Sequence, residues 1–132
     1  MSCIDGIRQF GNEDQGWVAH FILSALRNRK ITIYSDGRQV RDVLFATDLI
    51  AAYITFLESS LKGGVFNMGG GPKNTLSLLK LVRHNSNAAG RKPEFSFDKW
   101  RKGDQKVYNS DTRQAIQQLD WEPKVGVGDG LR

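Results

Sequence analysis

ITIYSDGRQVRDVLFATDLIAAY, residues 31–53, decides the fold class. ITIY, residues 31–34, is rich in β-branched and aromatic residues and predicts a strand. SDGR is a turn, with Asp36 and Gly37 as its turn formers. VRDVLF, about 40–45, predicts a second strand. TDLIAAYITFLESS then predicts an apolar helix with Thr47 as its cap. Leu49, Ile50, Tyr53, Ile54, Phe56 and Leu57 cover more than one face of that helix. A helix apolar so far round is buried on several sides or meets a partner. Arg41 stands beside the second strand's apolar run. A guanidinium is costly to desolvate there, so it calls for a partner, either a carboxylate of the protein or a ligand phosphate.

The same alternation extends outward. SCID, residues 2–5, predicts a short strand, followed by a loop to about residue 14. GWVAHFILSALRN predicts an amphipathic helix, with Val18, Phe21, Ile22, Ala25 and Leu26 at helical spacing and Asp14 as N-cap. Downstream, VFNMG predicts a strand and GGPKNT a loop. TLSLLKLVRHNSNA predicts a helix closed by Gly90. EFSFD, residues 94–98, alternates like a half-buried strand. SDTRQAIQQL predicts a short helix capped by Ser110 or Asp111, and the tail WEPKVGVGDGLR begins another. Strand and helix alternate, so the class is α/β. The strands are too few and dispersed for a complete doubly wound sheet. The 132 residues fit one domain, 1–132.

Composition excludes several classes. No apolar run approaches the ~20 residues of a membrane span. MSCIDGIRQF lacks the charged start and apolar stretch of a signal peptide. Cys3 is the single cysteine, which rules out a disulfide scaffold or cysteine zinc site and predicts a cytoplasmic protein. The net charge of +5 suits phosphorylated small molecules, acidic partners or nucleic acid. The basic residues are scattered, and the densest cluster, Arg27, Arg29 and Lys30, ends a predicted helix where cations complement the dipole. Nucleic-acid binding is therefore disfavoured.

Few stretches suggest chemistry on their own. MGGGPKNT puts glycines between a strand and a helix, as a phosphate cradle does. It fits neither the P-loop nor the dinucleotide fingerprint, and reads as a flexible surface connection. His20 and His84 have no second ligand at metal spacing and read as structural or surface residues. Asp5, Asp36, Asp42, Asp48 and Asp104 read mostly as caps, turn residues and ion-pair partners. Arg41 and Arg101, the latter beside Trp100 in WRKGDQK, suit either a structural ion pair or bidentate recognition of a diphosphate.

Four stretches cohere: SCIDGIRQFGNEDQGWVAHF, ITIYSDGRQVRDVLFATDLIAAY, VFNMGGGPKNTLSLLKL and WRKGDQKVYNSDTRQAIQQLDWEPKVGVGDGL. In this order the sequence resembles the C-terminal part of the NAD-dependent nucleotide-sugar epimerases/dehydratases, which are extended short-chain dehydrogenases/reductases. Within them it is most similar to the CDP-tyvelose (CDP-paratose) 2-epimerases. The resemblance implies the substrate-binding portion of that fold, lacking most of the Rossmann domain. It implies that Arg41, in Gln-Val-Arg-Asp, and Arg101, in Arg-x-Gly-Asp, grip the diphosphate of a CDP- or UDP-sugar. It places Gln39 beside the nucleotide, and Asn12, Gln15, Gly16 and Trp17 along the border of the sugar nucleotide.

The departures from the family matter as much. These 132 residues contain neither its Gly-rich NAD turn nor its Tyr-x-x-x-Lys pair. Tyr34, Tyr53 and Tyr108 are followed four residues on by Arg38, Leu57 and Thr112. No cofactor is expected on this chain alone, NAD belonging to the complete family member, and no epimerase activity is expected from it. Asp5, Gly6 and Ile7 stand for the family's Tyr-Gly-Pro, Ser35, Asp36 and Gly37 for its Gly-Asp-Gly, and Ala46 and Thr47 for its Val and Asp. Without the other half, strand edges and the 47–60 helix would be uncovered, which implies a homo-oligomer. Two alternatives stay open. One is a non-catalytic structural or interaction protein acting as an oligomer. The other is one half of a split epimerase.

Overall fold

A computed structural model describes residues 3–88 and 93–131. Where the sequence suggests one domain, the packing divides the chain into two compact units. The first holds residues up to 7, 41–75 and from 108 onward, and the second holds 8–40 and 76–107. Each is built around parallel strands, as an α/β chain should be.

In the first unit, β1 (Cys3–Asp5) pairs in parallel with β3 (Val40–Phe45), setting Cys3 against Val43 and Asp5 against Phe45. Two short strands, β4 (Thr75–Ser77) and β6 (Val107–Tyr108), also join β3. The helix α2 (Ala46–Glu58) follows β3 without a loop. Its Ala52 packs with Leu44 of β3, with Ala115 and Leu119 of α4 (Arg113–Leu119), and with Trp121. The Trp121 indole N–H donates to the Asp48 carbonyl at 3.0 Å, and Asp48 Oδ2 accepts the Val125 N–H at 2.9 Å. Asn74 then brackets Val125 and Val127, fixing the start of the four-residue α5 (Val127–Gly130).

The second unit pairs β2 (Ile31–Tyr34) in parallel with β5 (Phe95–Asp98), Ile31 opposite Phe95 and Tyr34 opposite Asp98. The helices α1 (Trp17–Leu26) and α3 (Leu78–Ala88) pack together. Val18, Ile31, Ile33 and Leu81 are fully buried. Ile31 and Ile33 of β2 and the Val18, Phe21 and Ala25 face of α1 are buried as read, whereas Leu26 and Phe97 are exposed, so the α1 and β5 patterns hold only in part.

Several expectations are corrected. The N-cap of α1 is Gly16, not Asp14. It sits in the left-handed region at φ 69°, where no side chain caps the helix. Thr47 does not cap α2, because the helix already begins at Ala46 with Phe45 as its extended N-cap. VFNMG forms no strand among the described residues. Its Phe66 and Met68 still pack inward on the core while Val65 and Asn67 face outward, so the alternation survives without a ladder. Thr75–Ser77 is strand, and α3 starts only at Leu78, where Ser77 Oγ accepts the Lys80 N–H at 3.3 Å. Neither Ser110 nor Asp111 is the N-cap of α4, which is Thr112. Asp111 instead grips the Arg113 guanidinium with both oxygens, and this holds its carboxyl down at about 2. Gly90 lies outside the described residues.

The Gly-rich stretch is the largest correction. Gly69, Gly70 and Gly71 are buried, and the surface-connection reading fails. A Cβ on Gly70 would stand 2.0 Å from the Val43 carbonyl oxygen. The loop is glycine because β3 passes directly against it.

Candidate functional site

The second unit gathers most of the predicted site residues. Asn12 Oδ1 accepts the backbone N–H groups of Asp14 and Gln15 at 3.0 and 2.8 Å, and Asn12 N–H donates to the Gln15 carbonyl at 2.8 Å. This closed turn, followed by left-handed Gly16, delivers the chain into α1 at Trp17. The Trp17 ring meets Phe21 edge-on at 6.1 Å, anchoring the first helical turn. Asn12, Gln15, Gly16 and Trp17 are therefore one local structure.

The turn aims Glu13 and Asp14 at Arg101. Arg101 Nη2 lies 3.3 Å from Glu13 Oε1, and Nη1 lies 3.2 Å from Asp14 Oδ1. The guanidinium carbon stands 3.7 Å from the centroid of the Tyr34 ring, within cation–π distance. The Tyr34 hydroxyl donates to Glu13 Oε1 at 2.6 Å. Gln39, buried, donates from Nε2 to the Tyr34 carbonyl. Tyr34 thus joins Arg101 to Gln39.

These ion pairs are exchangeable. The side chains of Arg101, Glu13 and Asp14 are 35%, 49% and 83% exposed. Pairs so exposed contribute about 0–1 kcal/mol each, so a phosphate could replace them at little cost. A planar fork lying on an aromatic ring is already oriented to receive one. Glu13, Asp14 and Tyr34 were missed by the sequence reading. The available signal was the Asn-Glu-Asp-Gln run before a helix and a tyrosine closing a strand.

Arg41 belongs to the first unit, half-buried on β3. Its neighbour Asp42 is fully buried, and Asp42 Oδ2 accepts the N–H groups of Gly71 and Ser110, both at 3.1 Å. Asp42 is thus a structural tie, and Asp48 is another. Asp36 accepts the Arg38 N–H within its own turn. Asp5 is buried among Phe45, Val125 and Val127, and burial pushes its carboxyl up, only partly opposed by the Gly6 N–H. His20 lies against Phe21, and no group of three metal-ligating side chains forms among the described residues. No helix is long and apolar enough to cross a membrane among the described residues.

The comparisons agree with this architecture. Residues 5–69 match the NAD dependent epimerase/dehydratase family. The CDP-paratose 2-epimerase of Salmonella typhi is 38% identical over 99% of this chain and 41% of its own length. The UDP-glucose 4-epimerase of Thermotoga maritima, solved with UDP-glucose, superimposes with a TM-score of 0.87 at 31% identity, over 98% of this chain and 41% of that one. The UDP-glucuronic acid 4-epimerase of Bacillus cereus, solved with UDP-glucuronic acid and NAD, gives 0.87 at 28% identity, over 98% and 40%. The chain spans about two fifths of the length of these relatives.

Proposed function

We propose that this chain, similar over 99% of its length to an NAD-dependent-type sugar-nucleotide epimerase, is the C-terminal, nucleotide-sugar-binding portion of such an enzyme, with a CDP-sugar as ligand. The observation that carries this reading is the Arg101 guanidinium, poised on Tyr34 and paired with exposed carboxylates of the 12–17 turn. An entering diphosphate displaces Glu13 and Asp14 and takes the fork bidentately. Gln39 and the Asn12–Trp17 segment border the nucleotide and sugar. Arg41 enters the proposal as a diphosphate ligand through the family resemblance alone. The similarity to a CDP-paratose 2-epimerase favours cytosine as the base.

Catalysis is incomplete on these residues alone. Hydride transfer needs a bound nicotinamide and an acid–base group, and the sequence offers no tyrosine four residues before a lysine. The chain alone binds no NAD and works in the cytoplasm. Calorimetric titration of CDP, UDP and a CDP-sugar tests the reading. Saturable binding weakened at least tenfold by Arg101→Ala or Arg41→Ala is expected, and flat traces with the folded protein would overturn it.

A second reading is favoured by one observation. Ile50, Tyr53, Ile54 and Leu57 of α2 are each about half or more exposed, at spacings of three and four that stripe one face. Such a stripe is an interface. In this reading the chain is a homo-oligomer joined through α2, or docks there onto a separate polypeptide carrying the cofactor half of a split epimerase.

A further inference from the structure

We propose that the C-terminal stretch 125–131 is a proton-gated cover on the first unit, closed over the ends of β1 and β3 while the Asp5 carboxyl is protonated and released when that carboxyl ionises. The stretch and the two strands bound a small cavity. Asp5, Val43 and Phe45 line it from the strands, and Val125, Val127 and Leu131 line it from the C-terminal side. Its volume is about 10 Å³, room for one water molecule at most. Asp5 is the one titratable group in that lining, and no ion pair to it forms among the described residues. The Gly6 N–H is the hydrogen bond its carboxylate receives. Arg41 and Asp42 of β3 do not line the cavity, Lys124 and Asp129 are exposed, and Asp48 of α2 is committed to the Val125 N–H. Arg132 lies outside the described residues.

A carboxylate there meets apolar side chains, little water and no counter-charge, so ionisation is costly while the cover is closed. The C-terminal wall of the cavity is the one held least. β1 and β3 are laddered together, Cys3 to Val43 and Asp5 to Phe45. The opposite wall has only the four-residue α5, which buries no residue, and its Gly126, Gly128 and Gly130 favour helix poorly. Its side-chain ties are Val125 N–H to Asp48 Oδ2 at 2.9 Å, Val127 N–H to Asn74 Oδ1 at 3.3 Å and Asn74 Nδ2 to the Val125 carbonyl at 3.3 Å. Each such bond has a small net worth, because water replaces it on opening. Lifting the stretch hydrates Asp5 and leaves the Leu44, Ala52 and Ala115 core in place. The closed form binds the Asp5 proton more tightly than the open form, in which the carboxyl meets water. Closure is therefore firmest below the ordinary aspartate range. It weakens as pH rises, by up to roughly tenfold per pH unit, until the carboxyl of the closed form has ionised too. The gate depends on aspartate, since the resembling family has tyrosine at this position, and a tyrosine stays neutral to about pH 10. None of these residues belongs to the Arg101 assembly, so the gate does not depend on the nucleotide-sugar reading.

NMR on the whole chain between about pH 4 and pH 8 tests the gate. The carbon-13 shift of the Asp5 carboxyl reads its ionisation. Amide exchange at Val125, Val127, Gly130 and Leu131, corrected for intrinsic rates, reads closure. The expected result is protection that falls roughly fivefold or more as pH rises and levels off where Asp5 has titrated. The Ile116 amide of α4, bonded to the Thr112 carbonyl at 3.0 Å in the same unit, should keep its protection throughout. Asp5→Asn and Asp5→Leu should hold the stretch closed across the whole range, and Arg132→Gln should leave the fall in place. The wild-type exchange and titration curves decide the matter even if a variant fails to fold. Protection of the wild-type stretch that does not change with pH overturns the proposal. So does a fall that persists in the Asp5 variants, or one that vanishes in Arg132→Gln. A parallel fall at Ile116 also overturns it, since the whole unit and not its cover would then be opening.

Discussion

Asp5 stands where the resembling family has a tyrosine, and it is 5% exposed. Burial raises its pKa above 3.8, so the folded chain binds this proton more tightly than the unfolded chain does. Stability associated with Asp5 is therefore greatest at acid pH and falls as pH rises through the folded pKa. Asp5→Asn carries no such charge. It should raise the melting temperature at pH 7, and its advantage should vanish below about pH 3, where both states are protonated. Thermal melts of both proteins across pH 3–8 check this, and an advantage that persists unchanged at pH 3 would refute the assignment.

Arg101 gives a second test. Glu13 and Asp14 compete with any incoming anion for the same guanidinium. Two exposed pairs of about 0–1 kcal/mol each imply that Glu13→Gln with Asp14→Asn tightens diphosphate binding by up to roughly thirtyfold. Titration of CDP into the double variant reads this directly. Equal or weaker affinity would mean that the carboxylates position the site rather than occupy it.

Among the secondary-structure elements, α2 carries the strongest expectation. Its inner face is anchored by Ala52 and by the partly buried Leu49 and Phe56, and its outer face shows Ile50, Tyr53, Ile54 and Leu57 to solvent. Ile54→Glu with Leu57→Lys adds opposite charges three apart on the outer face, so the helix should survive while association is lost. Light scattering at micromolar concentration should show the wild type as an oligomer and the variant as a monomer. A monomeric wild type would remove the self-association reading.

At this level the sequence was informative about type and less so about boundaries. The 31–34, 40–45 and 95–98 strands and the 17–26 helix follow from side-chain periodicity, which the chain carries locally. The caps do not. Gly16 in place of Asp14 and Ser77 in place of an earlier start depend on backbone conformation set by the packing around them. The 65–68 stretch alternates as a strand does, yet a strand also requires a neighbouring chain with free N–H and C=O groups.

For the molecule as a whole, the similarity to nucleotide-sugar epimerases covers nearly all of this chain but about two fifths of each relative. Incubating these 132 residues with NAD and CDP-sugars should give no epimerised product above the uncatalysed rate, followed by NMR. Turnover would show that acid–base chemistry resides in residues other than the family's tyrosine–lysine pair.

By itself the sequence determined the α/β class and the family resemblance. Those rest on local periodicity and on motifs contiguous along the chain. Only the tertiary structure decided that the chain packs as two units, that Gly69–Gly71 is a buried joint against β3, and that Asp42 and Asp48 are backbone ties rather than acid–base groups. It alone decided that Glu13, Asp14 and Tyr34 surround Arg101. Those facts join residues as far as 88 positions apart (Glu13 and Arg101), and only folding sets which distant groups share a dry or a charged neighbourhood.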